Sequence, residues 1–557
     1  MAELLSLKRV HFAYRGGRGP ALEGVDLAAQ PGEFVGVMGA TGAGKSTLLR
    51  AASGIVPHFY RGAFQGEVFL DGASIAGRKV ADLAGDIGTL FQDFESQLFS
   101  TNARLECAFG MENLGLPRAE MEARIQRIAA LVGLSDFMDR EPQSLSGGQK
   151  QRLALASILC LEPRLLLCDE PTTDLDPVGR EEVFAILEKL SQSGRAIVLI
   201  DHETDRLLDA DRLLVLDHGK TAAQGRPAEV LADPAFCRAH GIRPPDLFVL
   251  FDRLGLAQRP VLTTEAASLL EREGFSFRFA EAYADLPEPG GEPLIQVENL
   301  EFAYTPGRPA LKGVSLDIRR GDFVAVLGQN GSGKTTLVKH LSALIPRQGG
   351  RVLYEGRDVD RIGTAGMARR IGFVFQNPDH MLFAANVFEE VSFGLKNLRP
   401  GEDIASRVRQ ALETVGLAGM ETLDPFVLPK GERQKLAVAC VVALEPEVLI
   451  LDEPTTGLDA REQTAMMDLL GRLNRAGHTI IIVTHTMSAV LSHARRVVLM
   501  EGGRVIADGP TREVFHRPDL LAQASLVAPP CVRLSAELGG RALTVDELAG
   551  ELTGGAR

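Results

Sequence analysis

None of the six cysteines (Cys107, Cys160, Cys168, Cys237, Cys440, Cys531) stands in a C-x-x-C pair. That excludes a cysteine-ligated metal cluster and leaves reduced, mostly buried thiols of a cytosolic protein as the expectation. A long basic run is also missing, and the formal net charge is −13. A nucleic-acid surface needs clustered Lys and Arg, so no nucleic-acid partner is expected, and the acidic balance reads as no more than an aid to solubility. The first residues, MAELLSLKRVHFAY, lack the sustained apolar core of a signal peptide. No apolar run reaches the roughly 18 residues that cross a bilayer. LAVACVVALEPEVLILD comes nearest and is broken by Glu445, Pro446 and Glu447. Any link to a membrane must therefore run through a partner.

What is present is a unit written twice. GATGAGKST (Gly39–Thr47) returns as GQNGSGKTT (Gly328–Thr336), LLLCDEPTTDLD (Leu165–Asp176) as VLILDEPTTGLD (Val448–Asp459), and IVLIDH as IIIVTH, in one order and at nearly constant spacing. A chain of 557 residues is too long for one ordinary core, and 45% hydrophobic with 24% charged residues is the composition of a soluble globular protein. A duplicated domain follows. Each copy trails a smaller repeat: IRPPDLFVLFDRLG then LTTEAASLL, and VAPPCVRLSAELG then LTVDELAGEL. Both read as Pro-Pro, an amphipathic helix, then a Thr at a second helix start with an acidic residue soon after. They serve either as plain packing helices or as elements that meet and hold the copies together. The stretch ADLPEPGGEP (Ala284–Pro293) reads as a linker. EFVGVMG and DFVAVLG are short apolar runs that end in a Gly-rich loop, RLLLCDE and VLILDE are buried strands ending in carboxylates, and helical segments lie between them. The pattern predicts an α/β fold with a mainly parallel sheet in each copy.

G-x-x-x-x-G-K-[ST] occurs twice, as Gly39, Ala40, Thr41, Gly42, Ala43, Gly44, Lys45, Ser46 followed by Thr47, and as Gly328, Gln329, Asn330, Gly331, Ser332, Gly333, Lys334, Thr335 followed by Thr336. Glycines let backbone N–H groups wrap phosphates at a helix N-terminus. Lys45 and Lys334 would reach the β- and γ-phosphates, and Ser46 and Thr335 would hold Mg²⁺. Asp169 and Asp452, at strand ends, suit the Mg²⁺ shell. Glu170 and Glu453 come next and suit the polarising of an attacking water. His202 and His485 follow another strand and could contact the γ-phosphate. A lone histidine there is usually structural, but the duplicated context favours function.

The order P-loop, Gln, LSGGQ, DEPTTxLD, His resembles the ATP-binding cassette family over nearly the whole chain, as two P-loop cassettes in tandem. The resemblance implies ATP and Mg²⁺ as ligands. It places residues 1–237 in a first cassette with a helical subdomain, 238–270 in a helical extension, 271–292 in a linker, 293–520 in a second cassette and 521–557 in a C-terminal helical extension. It makes Gln92 and Gln376 the loop glutamines that sense Mg²⁺ and a transmembrane partner. Tyr14 and Tyr304 match the adenine-stacking aromatic, with core packing as the other reading. It also implies head-to-tail pairing, in which each ATP meets one cassette's P-loop and the other's signature. FQDFESQLF and FQNPDHMLF resemble the F-Q-N-P-x-x-Q-[LI]-F pattern of energy-coupling-factor and cobalt-type importers, although Asp93, Phe94 and Met381 depart from it.

One signature is damaged. Ser146, Gly147, Gly148 and Gln149 align with Pro429, Lys430, Gly431 and Glu432. Pro429 removes a hydroxyl and an N–H, and Glu432 brings negative charge toward an anion. Each lost charge-assisted hydrogen bond costs about 1.5–3 kcal/mol. Paired head to tail, the intact motif (Ser146, Gly148, Gln149) serves the second P-loop, so hydrolysis is expected there, while the first site mainly binds. Neutral drift with both sites active is the alternative. The expected function is the ATP-hydrolysing subunit of an energy-coupling-factor-type importer for a vitamin or a transition-metal ion. It would sit peripherally on the cytoplasmic face with integral membrane subunits, one of which binds the cargo. A tandem sugar-importer ATPase should lack the Pro-Pro extensions. A soluble ribosome-associated tandem protein should have two intact signatures and a long charged linker.

Overall fold

The computed structural model describes residues 3–17, 19–173, 175–277, 292–399, 401 and 403–554, so most of the expected linker, 278–291, lies outside the described residues. The chain divides into two units, Met1–Asp252 with Ala257–Arg259, and Arg253–Leu256 with Pro260–Arg557.

In the first unit the central sheet has six strands. From edge to edge they are Lys220–Gly225, Arg212–Asp217, Phe34–Met38, Ala196–Ile200, Leu165–Asp169 and Ile87–Leu90. All neighbours are parallel except the first pair. The apolar runs lack alternation because both faces are covered. Val35, Val37, Leu165 and Leu167 pack toward a four-stranded antiparallel sheet, while Phe34, Met38, Leu166 and Cys168 pack toward the helices. The antiparallel sheet contains Leu5–Tyr14 and Gly62–Leu70. The helical region holds Ala103–Asn113, Arg118–Leu131 and Gly147–Leu159 around one apolar cluster. Among the cysteines only Cys440 is not buried. Burial pushes the Cys168 and Cys237 thiols up to about 12.

The second unit repeats the plan. Its six-stranded sheet runs Ile371–Val374, Val448–Asp452, Thr479–Val483, Phe323–Leu327, Arg496–Glu501 and Arg504–Pro510, with an antiparallel pair only at the last edge. Val324 and Val326 face one core, and Phe323, Ala325 and Leu327 the other. The expected α/β fold with two tandem domains is present.

The second unit also contains the tail of the first copy. Helix Thr263–Arg272 packs on Pro530–Glu537, and Phe275–Phe277, inside the stretch expected as linker, pairs antiparallel with Leu552–Gly554. Thr544 caps its helix by accepting from Glu547 N at 3.2 Å. Thr263 differs: its hydroxyl donates instead to Glu537 Oε1 at 2.5 Å, so the two Thr positions align in sequence but not in role.

Candidate functional site

Each Gly-rich loop leaves a central strand and feeds a helix, Lys45–Ala52 or Lys334–Leu341. Two glycines per loop are obligatory. Gly39 has φ 142° and Gly328 has φ 148°, and a Cβ there would lie 2.2 Å from Leu216 O or 2.1 Å from Met500 O. Gly44 and Gly333 sit at φ 102° and 101°, with a Cβ meeting Ala21 O at 2.4 Å and Ala310 O at 2.6 Å. Any other residue would push the loop off the strand that positions it. Lys45 Nζ donates to Gly39 O at 2.8 Å and Ala40 O at 3.0 Å, and Lys334 Nζ donates to Gly328 O and Gln329 O at 2.8 Å each. Both ammonium groups are thus buried at the mouth of their own loops.

The carboxylates gather beside these lysines. Ser46 hydrogen-bonds Asp169, and Thr335 Oγ1 donates to Asp452 Oδ2 at 2.8 Å. The other oxygen of each, Oδ1, is buried without a hydrogen-bond partner. Burial pushes both carboxyls up to about 6 against the pull of those hydroxyls. A single carboxylate beside a hydroxyl, with one oxygen left over, fits a Mg²⁺ ion that keeps waters and substrate phosphates as its remaining ligands. Among the described residues no group of three or more His, Cys, Asp or Glu is placed to hold a metal by itself.

The two glutamates differ. Glu170 Oε1 meets His202 Nε2 at 2.9 Å, while Oε2 accepts from Gln92 Nε2 at 2.8 Å and from Thr173 Oγ1 at 3.1 Å. Burial raises its pKa, but the His202 bond and charge, with Lys45 and Thr173, outweigh it and hold Glu170 at about 2. Glu453 Oε1 meets His485 Nδ1 at 2.9 Å, and its Oε2 is buried with no partner. Burial again raises its pKa, and His485, Lys334 and the Thr484 side chain beside it bring it below the usual range. Gln376, the counterpart of Gln92, is exposed. Both glutamates take φ 49°, and each backbone N–H is tied to the neighbouring strand, at Ile200 O and Val483 O.

The signature helices differ as their sequences do. Ser146 caps Gly147–Leu159 in a reciprocal box with Gln149, at 3.0 and 3.3 Å, and Ser146 and Gly147 are exposed. Helix Lys430–Val442 follows Pro429 with no side-chain cap. Lys430 instead lays its ammonium over Gly457, where a Cβ would meet Nζ at 2.3 Å.

Several groups escaped sequence reasoning. Buried Asp201, where the second copy has Thr484, accepts from Thr172 Oγ1 at 2.6 Å and Glu203 N at 2.9 Å. It adds negative charge beside His202, whose pKa is raised: burial lowers it, and Glu170 and Asp201 more than compensate. Comparing IDH with VTH exposes this carboxylate. Buried Glu106 and Glu390 accept two backbone N–H groups each from the loops after the glutamines, Phe99 and Ser100 at 3.0 and 2.8 Å, Phe383 and Ala384 at 2.8 and 2.7 Å. No local pattern announces a glutamate that is wholly inside.

Comparison with known proteins agrees with this geometry. The family model described as ABC transporter matches residues 22–173 and again 311–456. A putative ABC transporter ATP-binding protein of Caldanaerobacter subterraneus subsp. tengcongensis is 42% identical over 539 residues, 95% of each chain. Another, from Methanosarcina acetivorans, is 39% identical over 559 residues, covering 97% of this chain and 91% of the relative. A solved structure of cbiO1 from Clostridium perfringens, described as part of the ABC transporter complex cbiONQ, is 37% identical and covers 43% of this chain and 98% of its own, with a TM-score of 0.39. With both halves matched and relatives aligned along nearly their full length, the chain belongs to the ABC transporter family and carries two of its ATP-hydrolysing domains.

Proposed function

We propose that the chain is the ATPase of an energy-coupling-factor-type importer, peripheral on the cytoplasmic face of a membrane. It works with integral membrane subunits, one of which binds a vitamin or a transition-metal ion. The observation that carries the partner is duplicated. Just beyond each glutamine loop a pair of exposed rings stands edge to face, Phe99 with Phe109 at 4.6 Å and Phe383 with Phe393 at 4.8 Å. The buried Glu106 or Glu390 fixes the loop that presents each pair. Exposed aromatics held rigid, once per copy, match a pair of apolar helix ends on membrane subunits. No helix among the described residues is long and apolar enough to cross a membrane itself. The FQ-x-x-x-x-x-LF loops and the Pro-Pro extensions favour the energy-coupling-factor type over a sugar-type importer. Co-expressed with its membrane partners, the chain should sediment with membranes, and Phe99→Asp with Phe383→Asp should release it while ATP still binds. Failure of the unaltered chain to sediment with any membrane partner would end the transport reading.

In this reading the two P-loops hold ATP by the N–H groups of their glycines, with Lys45 and Lys334 turned from loop carbonyls to phosphate oxygens. Mg²⁺, when bound, neutralises phosphate charge and is held by Ser46 with Asp169 and by Thr335 with Asp452, beside Gln92 and Gln376. Hydrolysis belongs to the second P-loop. Glu453 has a free oxygen for the attacking water, and His485 fixes the other. Glu170 has both oxygens engaged, by His202 on one side and by Gln92 and Thr173 on the other, and offers none to a water. On the head-to-tail pairing that the sequence resemblance implies, the intact Ser146 signature serves this same P-loop, so both asymmetries point one way.

A further inference from the structure

The first P-loop carries an aromatic corner that the second lacks. Gly62 pairs with Tyr14 across the antiparallel sheet, and a Cβ at Gly62 would lie 2.2 Å from Ala13 O and 2.7 Å from Phe12 Cζ. Only glycine lets the preceding residues turn in so close to Tyr14. Tyr60 stands there 48% exposed, its ring 6.3 Å from that of Tyr14 and at 83° to it. Arg50, one turn beyond Thr47 on the P-loop helix, closes the corner. Its guanidinium lies 4.8 Å over the Tyr60 ring and donates to the Tyr14 hydroxyl at 3.0 Å. The same hydroxyl is 3.0 Å from Thr47 Oγ1. Two hydrogen bonds thus fix Tyr14 beside the P-loop helix, and cation–π attraction from Arg50 holds the exposed Tyr60 ring at a right angle to it.

The second copy is built otherwise. Tyr304 is 61% exposed, and its hydroxyl is reached by Thr336 only at 3.4 Å. Near the place of Tyr60, Gln348 folds onto the backbone of Ala303, with both amide atoms at 2.8 Å. Lys339 takes the position of Arg50.

We propose that Tyr60, Tyr14 and Arg50 form a base-binding corner that makes the first P-loop a retention site for purine nucleotide. The proposal rests on the reading of the P-loops as ATP sites. A heteroaromatic base stacks on one ring and sets its positive edge against the face of a ring at right angles, so two walls grip it where one ring only supports it. A bare polyphosphate gains nothing from the corner. The device also falls on the P-loop whose glutamate is the more fully engaged, so the nucleotide held longest is the one hydrolysed least.

The test uses the full-length chain with Lys334→Ala, which silences the second loop, and equilibrium dialysis with ATP and with inorganic tripolyphosphate. Tyr60→Ala should weaken ATP binding roughly tenfold and leave tripolyphosphate unchanged, while Tyr60→Phe keeps the wild-type affinity. Equal ATP affinity for Tyr60→Ala and Tyr60→Phe would overturn the corner. So would an equal loss for both ligands, which marks damage to the loop instead. A Lys334→Ala chain that binds no ATP would remove the nucleotide reading of the first P-loop itself, a different failure from an unmoved Tyr60→Ala.

Discussion

A single oxygen atom separates Glu453 from Glu170, the two glutamates proposed to polarise water. Glu453 Oε2 has no partner, whereas Glu170 Oε2 is held by Gln92 and Thr173. Glu453→Gln should therefore abolish most steady-state ATP turnover in the assembled transporter and leave ATP binding in place. Glu170→Gln should leave a substantial fraction. On the proposed head-to-tail pairing, which only the sequence resemblance implies, Ser146→Arg should resemble Glu453→Gln. Equal losses for the two glutamate variants would mean coupled or equivalent sites. At this scale the sequence was informative wherever chemistry dictates residue type. Gly39 and Gly44 could be read from the motif, because a Cβ at either would collide with a backbone carbonyl oxygen. Tyr60, Asp201 and Glu106 were not legible, because each acquires its meaning only from a neighbour brought close by folding.

Among the elements, the clearest contrast is the pair of signature helices. Ser146 and Gln149 satisfy the N-terminus of one, while Pro429 and Glu432 leave the other uncapped. Pro429→Ser with Glu432→Gln rebuilds the box and should stabilise that helix by about 1 kcal/mol. If the damaged motif limits the first site, the same double change should restore measurable ATPase activity to a Glu453→Gln chain. A rise in melting temperature without any turnover would place the limit at Glu170 instead. A second element has a titration of its own. Glu551 ends helix Val545–Glu551, buried, with neither oxygen partnered, and burial pushes its carboxyl from 4.5 up to about 7. Between those values the folded chain keeps a proton that the unfolded chain releases, so this group's contribution falls as pH rises through the window and stays low above it. Glu551→Gln should raise the melting temperature at pH 8 and change it little at pH 5. The same increment at both pH values would show that charge is not the cause. Central strands such as Leu165–Asp169 could be read from their continuous apolar runs, since both faces are covered. Phe275–Phe277 could not, because three residues with a partner at Leu552–Gly554 leave no periodicity to find.

For the whole molecule, the first copy's tail lies in the second unit. Thr263 reaches Glu537, 274 residues away, and Arg253 pairs with Asp546 at 2.5 Å. Residues 1–277 and 292–557 expressed as two chains should therefore associate without ATP, and deleting 528–557 should weaken that association by at least tenfold in equilibrium sedimentation. An unchanged constant would reduce the extensions to packing helices. The repeat itself was visible from the motifs, but the register between its two tails depends on contacts hundreds of residues apart. The burial of the thiols has a practical consequence for all these experiments. Five of the six sulfurs are inside the fold, and burial suppresses the thiolate at Cys168, Cys237 and the half-covered Cys440. The native chain should be nearly silent toward maleimides at neutral pH. One cysteine placed at Phe99 or Tyr60 would then carry a fluorophore or spin label against a dark background, with none of the native cysteines removed first.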